Sequence, residues 1–300
     1  MHRYSHLFWG LMLLVTPGAD AAAEKVYDQR SLYSRVVVNR NDHIYCLQFS
    51  VQLNLRNQSC INKRKPRKLI FEYTKMAMAS LLFTPEPKAI LVVGLGGGTL
   101  PMAFTRLFPE AHIDAIEIDA DVVKVAEQYF EFRSDEKIAV HIRDARVWTK
   151  RALRGARRYD LIFLDAFNGE YIPEHLMTRE YLQETQALLA PGGTLMANTF
   201  AVSDLYDHES ATYADVFGGF INFAVVQTAN RMITVAPAVE DEILRERATA
   251  LRATLRPYDV PIRRYARQLI RLRNKAPDWD TEARVLTDQF SPANLLRNRR

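Results

Sequence analysis

The 300-residue sequence predicts an α/β fold: a mostly parallel sheet covered by helices on both faces, preceded by a small antiparallel β domain. Two observations carry this. From Ala89 onward, short continuous apolar runs alternate with amphipathic stretches of helix length. Before it, from Val26 to about Ile61, the chain alternates in short β-like runs with no helix-length pattern between them.

The elements follow in order. Residues 1–23 contain Arg3, an apolar stretch over residues 7–15 and the small run Ala19-Asp20-Ala21-Ala22-Ala23. That is the outline of a signal peptide whose apolar core is too short to span a bilayer, so a periplasmic or secreted product is expected. No other apolar run reaches about 18 residues, and no membrane span is expected. Residues 24–84 read as the β domain, with strands in "SRVVVNR", "HIYCLQF" and "VQLNL", and a linking helix in "LIFEYTKMAMASLLF" that halts at Pro85 and Pro87.

Residues 85–237 hold the parallel sheet. Its strands are "AILVVG", "HIDAIEID", "IAVHIRDA" and "YDLIFLDAF", each followed by a helical pattern. "GTLMANTF" comes next, then a helix near "ATYADVFGGF", and "FINFAVVQTA" with "RMITVAPA" as an antiparallel pair at one edge. Residues 238–300 are two basic helices and the tail "VLTDQFSPANLL".

With 48% hydrophobic and 25% charged residues the composition is that of an ordinary globular protein. The net charge of +5 is concentrated after residue 239, where 14 Arg and Lys face 9 Asp and Glu. Arg263, Arg267 and Arg271 recur at i+4 and are read as a solvated helix face. No nucleic-acid motif accompanies them, and no nucleic-acid partner is expected. The two cysteines, Cys46 and Cys60, lie fourteen positions apart around a hairpin. Either a disulfide or two buried thiols fits that spacing, and a metal site without further ligands is not expected.

In an open α/β sheet ligands bind beyond the carboxyl ends of the strands. Gly94, Gly96, Gly97 and Gly98 follow the first parallel strand, where absent side chains let backbone approach a ligand at a helix N-terminus. Glu117 follows the second strand, placed to accept from ribose hydroxyls; Asp144 with Ala145 follows the third and Asp165 the fourth. An adenosine-containing ligand fits all four positions. A dinucleotide fits less well, because Thr99 stands where the fingerprint needs its third glycine. The later acids and the turn in "LLAPGGTLMA" match a Rossmann-like sheet of the S-adenosylmethionine-dependent methyltransferase type.

"VVGLGGGTLP", "IDAIEIDADVVKVAEQYF", "IRDARVW" and "YDLIFLDAFNGEYIPEHLMTREYL", with the N-terminal β segment, resemble spermidine synthase and its polyamine aminopropyltransferase relatives over residues 26–237. The resemblance implies decarboxylated S-adenosylmethionine as co-substrate, no permanently bound cofactor, a polyamine acceptor and a homodimer. It also implies that Gln52 touches the donor, Glu117 its ribose, and Asp144 and Ala145 its adenine, with Asp165 as first acid of the catalytic loop.

Two acids of the family pattern are replaced. Gly97 stands for an acid of the glycine loop, and Asn168 for the second acid of the catalytic loop, read as the base. Asn168 can neither take a proton nor balance a cation. Glu72, Tyr73, Glu170 and Tyr171 are expected near the acceptor. His175 is read as a base or as helix-start packing, and Asp288 as a lid contact or a cap. The expectation is an intact adenosine half with slow aminopropyl transfer. The alternatives are an exported binding protein without catalysis, or a small-molecule methyltransferase using S-adenosylmethionine itself.

Overall fold

A computed structural model describes residues 23–50, 56–166, 172–201, 205–225 and 230–292. The leader up to residue 22, Gln52, Asn168, Glu170 and Tyr171 lie outside the described residues.

The N-terminal sheet runs β1 (Glu24–Arg30), β2 (Arg35–Asn41), β3 (Ile44–Ser50) and β4 (Arg56–Asn62), antiparallel and in sequence order. Val36, Val37 and Val38 are fully buried within it. The β3–β4 register sets Cys46 directly opposite Cys60, with their Cα atoms 4.1 Å apart, and the two are joined in a disulfide.

The linking segment is shorter as an α-helix than its periodicity suggests. α1 covers Glu72–Ala77 and tightens into a 3-10 turn over Met78–Leu82. Every side chain from Met76 to Leu82 is buried without exposure. A stretch apolar on every side carries no amphipathic stripe, so its pattern does not set where the α-helix stops.

The second sheet contains β5 (Ala89–Val93), β6 (His112–Glu117), β7 (Ile138–Ile142), β8 (Tyr159–Leu164), β9 (Leu189–Phe200), β10 (Ile221–Ala224) and β11 (Asn230–Val235). Their spatial order is β10-β11-β9-β8-β5-β6-β7. Strands β5 to β9 are parallel, and β11 and β10 close one edge antiparallel. The reversal of winding falls between β5 and β8, where ligands of such sheets bind.

Helices α2 (Thr99–Leu107), α3 (Ala120–Tyr129), α4 (Ala145–Arg154), α5 (Arg179–Leu188) and α6 (Leu205–Phe217) cover the two faces. β9 begins before the Pro-Gly-Gly turn, and a register shift against β8 between Tyr159 and Leu161 absorbs the extra residues. The basic C-terminal helices, α7 (Asp241–Leu255) and α8 (Ile262–Leu272), bury Leu244, Leu255, Tyr265 and Leu269 in the largest core cluster, while Arg263, Arg267 and Arg271 stay exposed.

Val36, Val38 and Leu47 of the β domain pack with Val122 and Val125 of α3, which fixes the small sheet over the carboxyl end of the large one. Among the described residues no helix is long and apolar enough to cross a membrane.

Candidate functional site

A cavity of about 180 Å³ opens at the winding reversal, between the β domain and the large sheet. Gly94, Leu95 and Gly96 form its floor; Glu117 and Asp165 are its carboxylates; the wall includes Phe49, Asn57, Ser59, Phe71, Tyr73, Asn198 and Asn230.

The floor depends on one glycine. Gly94 sits at φ +97°, and a Cβ there would stand 2.3 Å from the carbonyl oxygen of Asp165. Only a residue without a side chain lets the ends of β5 and β8 approach this closely. The next turn leads into α2 through Gly98, also left-handed at φ +70°.

Glu117 is held by backbone. Its Oε1 accepts from the N–H groups of Ile118 and Asp119 at 2.9 and 3.1 Å, and its Oε2 from Leu95 at 3.1 Å. Burial pushes its carboxyl above the usual range, against those three hydrogen bonds. A carboxylate fixed by amides keeps one rotamer and presents its remaining acceptor capacity to the cavity.

Asp165 is strongly perturbed. Its carboxyl is pushed up to about 7, first by burial and further by the charge of Glu117; hydrogen bonds from Asn198 and Tyr73 act in the opposite direction. Asn198 Nδ2 donates to Asp165 Oδ1 at 2.8 Å, and Asn230 Nδ2 donates to Asn198 Oδ1 at 3.0 Å. Burial and the neighbouring Asp165 raise the Tyr73 phenol, whose single O–H is shared between Asp165 and the carbonyl of Gln58, 3.2 Å away.

Sequence reasoning missed Asn198 and Asn230. Asn198 stands near the end of β9 and Asn230 at the start of the antiparallel β11, and the signal for Asn198 is an amide inside the apolar run of "GTLMANTF".

Several expected residues lie elsewhere. Glu72 does not line the cavity: its Oε1 accepts from Tyr265 at 2.6 Å and its other oxygen is 3.8 Å from Lys75. Asp144 caps α4 by accepting from Val147 at 2.9 Å, and its second oxygen meets His175 Nε2 at 2.8 Å. Ala145 is buried in the core beneath that turn. His175 therefore contacts Asp144 at the helix start and is absent from the wall around Asp165.

Gly97 faces inward. A Cβ on it would meet Ser59 Oγ at 2.6 Å and the Phe130 ring at 2.7 Å, so an acid there would point into the β-domain contact. Asp288 accepts two hydrogen bonds from Arg146 and one from Thr178, tying the C-terminal tail to α4 and α5. Among the described residues no cluster of His, Cys, Asp and Glu suits a metal ion.

Residues 69–239 match the spermine/spermidine synthase domain. The chain is 46% identical over 297 residues to the polyamine aminopropyltransferase of Vibrio vulnificus, covering 97% of each. Among solved structures, a probable spermidine synthase from Corynebacterium glutamicum superposes with a TM-score of 0.66 at 19% identity, covering 87% of this chain and 96% of that one. Human methyltransferase-like protein 13 in complex with SAH gives 0.54 at 25% identity, over 71% of this chain and 97% of that one. With a cavity at the winding reversal and a near full-length relative of this kind, the chain belongs to the spermine/spermidine synthase family.

Proposed function

We propose that this chain transfers the aminopropyl group of decarboxylated S-adenosylmethionine to an amine acceptor, with Asp165 as the proton acceptor. The observation that carries this reading is the Asp165 carboxyl, held at about 7 inside the cavity that also contains Glu117 and the glycine floor. The near full-length aminopropyltransferase relative supports the same reaction.

The donor's adenosine lies against Gly94–Gly96, its ribose hydroxyls on Glu117. The acceptor amine enters beside Tyr73 and Asp165. An alkylammonium holds its proton to about pH 10 and has no lone pair for attack until a base removes it. A carboxylate tuned near neutrality is matched to that task. The amine lone pair then forms a bond to the propyl carbon attached to sulfur. The carbon–sulfur bond breaks, its electron pair stays on sulfur, and neutral methylthioadenosine leaves. Asp165 takes the proton and returns it to solvent.

This reading reassigns the base. Asn168 was expected to mark a lost proton acceptor; with Asp165 in that role the chemistry does not require a carboxylate at position 168. The polyamine as acceptor, the homodimer and export are part of the same proposal, export being supported by the signal-like leader and the Cys46–Cys60 disulfide.

The test incubates the mature chain with decarboxylated S-adenosylmethionine and putrescine and follows spermidine and methylthioadenosine. Wild type should form both, Asp165→Asn should lose on the order of 10²-fold or more in kcat, and Asn168→Asp should change the rate less than about tenfold. An inactive wild type rescued by Asn168→Asp would overturn the assignment. Methyl transfer is the second reading, favoured by the methyltransferase neighbour. Replacing the donor by S-adenosylmethionine in the same assay separates the two.

A further inference from the structure

A second hollow lies along the free edge of the large sheet, outside β7, and shares no lining residue with the cavity around Asp165. Its volume is about 480 Å³. The wall is contributed by one continuous stretch, residues 140–157, folded back on itself: His141 and Arg143 from β7 and the turn after it, Trp148 and Arg151 from α4, and Arg157 from the loop before β8.

Its charge is one-sided. Residues 143–158, "RDARVWTKRALRGARR", carry seven Arg and Lys against one Asp. Part of that charge is neutralised elsewhere: Arg146 pairs with Glu184 and Asp288, and Lys150 with Glu184. Arg157 pairs with Asp114 at 2.5 Å, beneath the wall. Asp114 is 1% exposed and also accepts from Tyr159 at 2.6 Å and meets His141 Nε2 at 2.6 Å, so its oxygens are taken. Arg143 and Arg151 make no ion pair among the described residues, and no carboxylate lines the hollow.

We propose that this hollow binds a small oligophosphate through the guanidinium groups of Arg143, Arg151 and Arg157. Arg143, Arg151 and Arg157 line one concave space; Asp114 already compensates Arg157, whereas Arg143 and Arg151 have no ion pair among the described residues, and planar guanidinium forks match phosphate oxygens two at a time. Several fixed positive charges select a multivalent anion over a monovalent one. The aromatic wall does not select a base. Trp148 is 5% exposed, with His141 and Tyr159 tilted against its ring at 5.2 and 6.2 Å and the Arg157 guanidinium 5.7 Å from its centre.

The Arg263, Arg267 and Arg271 row is the internal contrast. Those residues share one exposed helix face, whereas the turn after β7, the helix α4 and the loop after it fold their arginines around a hollow. Concavity makes simultaneous contact with one small ligand possible; an open helix face scatters its charges into solvent.

Isothermal titration of the full chain with inorganic tripolyphosphate, at fixed pH and moderate salt, tests the site. The double variant Arg143→Ala/Arg151→Ala should weaken binding on the order of tenfold or more. Arg263→Ala/Arg267→Ala removes the same charge from α8 and should weaken it less than about twofold. Cytidine triphosphate, which has no adenosine to carry it into the other cavity, should bind within about threefold of tripolyphosphate. Equal losses in the two double variants would show general charge attraction and overturn the site. So would binding of cytidine triphosphate without binding of tripolyphosphate, or no binding to wild type at millimolar ligand. Matching melting curves of the two double variants confirm that a loss of binding is not a loss of fold.

Discussion

Asn198 Nδ2 donates to Asp165 Oδ1 at 2.8 Å, and Asn198 is itself held by Asn230 from the neighbouring strand. This hydrogen bond favours the ionised carboxylate and restrains the upward push of burial. Asn198→Ala removes it, so the Asp165 carboxyl should rise above about 7. The acidic limb of the kcat profile should move to higher pH, with activity reduced severalfold near pH 6.5 and largely recovered near pH 9. A uniform loss at every pH would show that Asn198 acts on substrate and not through Asp165.

Asp165 also sets a pH dependence of stability. Its folded value of about 7 lies above the unfolded value near 4, so the folded state holds the proton more tightly. The contribution is fully present below about pH 4 and is lost as pH rises through about 7. Asp165→Asn removes that loss. The variant should be more stable than wild type by about 1–2 kcal/mol at pH 8, a modest figure because the group borders a solvent-accessible cavity, and indistinguishable near pH 4. Melting curves at the two pH values decide it; a variant less stable at pH 8 contradicts the buried-charge account.

Glu117 should carry the adenosine ligand. Methylthioadenosine at 100 times its dissociation constant should add about 2.7 kcal/mol to wild-type stability. Glu117→Ala removes the ribose acceptor and should abolish most of the thermal shift at the same concentration. A full shift in the variant would place the nucleoside elsewhere.

Restoring an acid in the glycine loop should not help. Gly97→Asp drives a side chain against Ser59 and the Phe130 ring. It should cost about 1–3 kcal/mol by overpacking and leave aminopropyl transfer no faster. A faster and equally stable variant would show that the loop opens and the β domain yields.

The leader and the disulfide share one experiment. Protein from its native host should lack residues up to about Ala21 to Ala23 by intact mass. Its two cysteines should resist thiol labelling until reduced. Cys46→Ser/Cys60→Ser should cost about 2–4 kcal/mol, as expected for a loop of this length. Full-length chain recovered from the cytosol with free thiols would remove the export reading.

The sequence alone determined the strand–helix alternation of a mostly parallel sheet, its antiparallel edge, the preceding β domain, and the placing of Gly94, Glu117 and Asp165 at strand ends. These are local matters. Apolar runs, helix periods and glycines are written along the chain, and the strand-end rule turns them into a site without knowledge of distances. What a side chain faces is a different quantity. Tertiary packing decided that Glu72 reaches Tyr265, that Asp144 caps α4 and meets His175, and that Gly97 looks into Phe130. It also brought Asn198 and Asn230 to Asp165, 33 residues from the first of them, and gathered Arg143, Arg151 and Arg157 around one hollow. Spacing along a chain gives the identity of a group and its place on an element. Its proton affinity and its partners depend on which other elements exclude water from it, and that is settled only when the layers close.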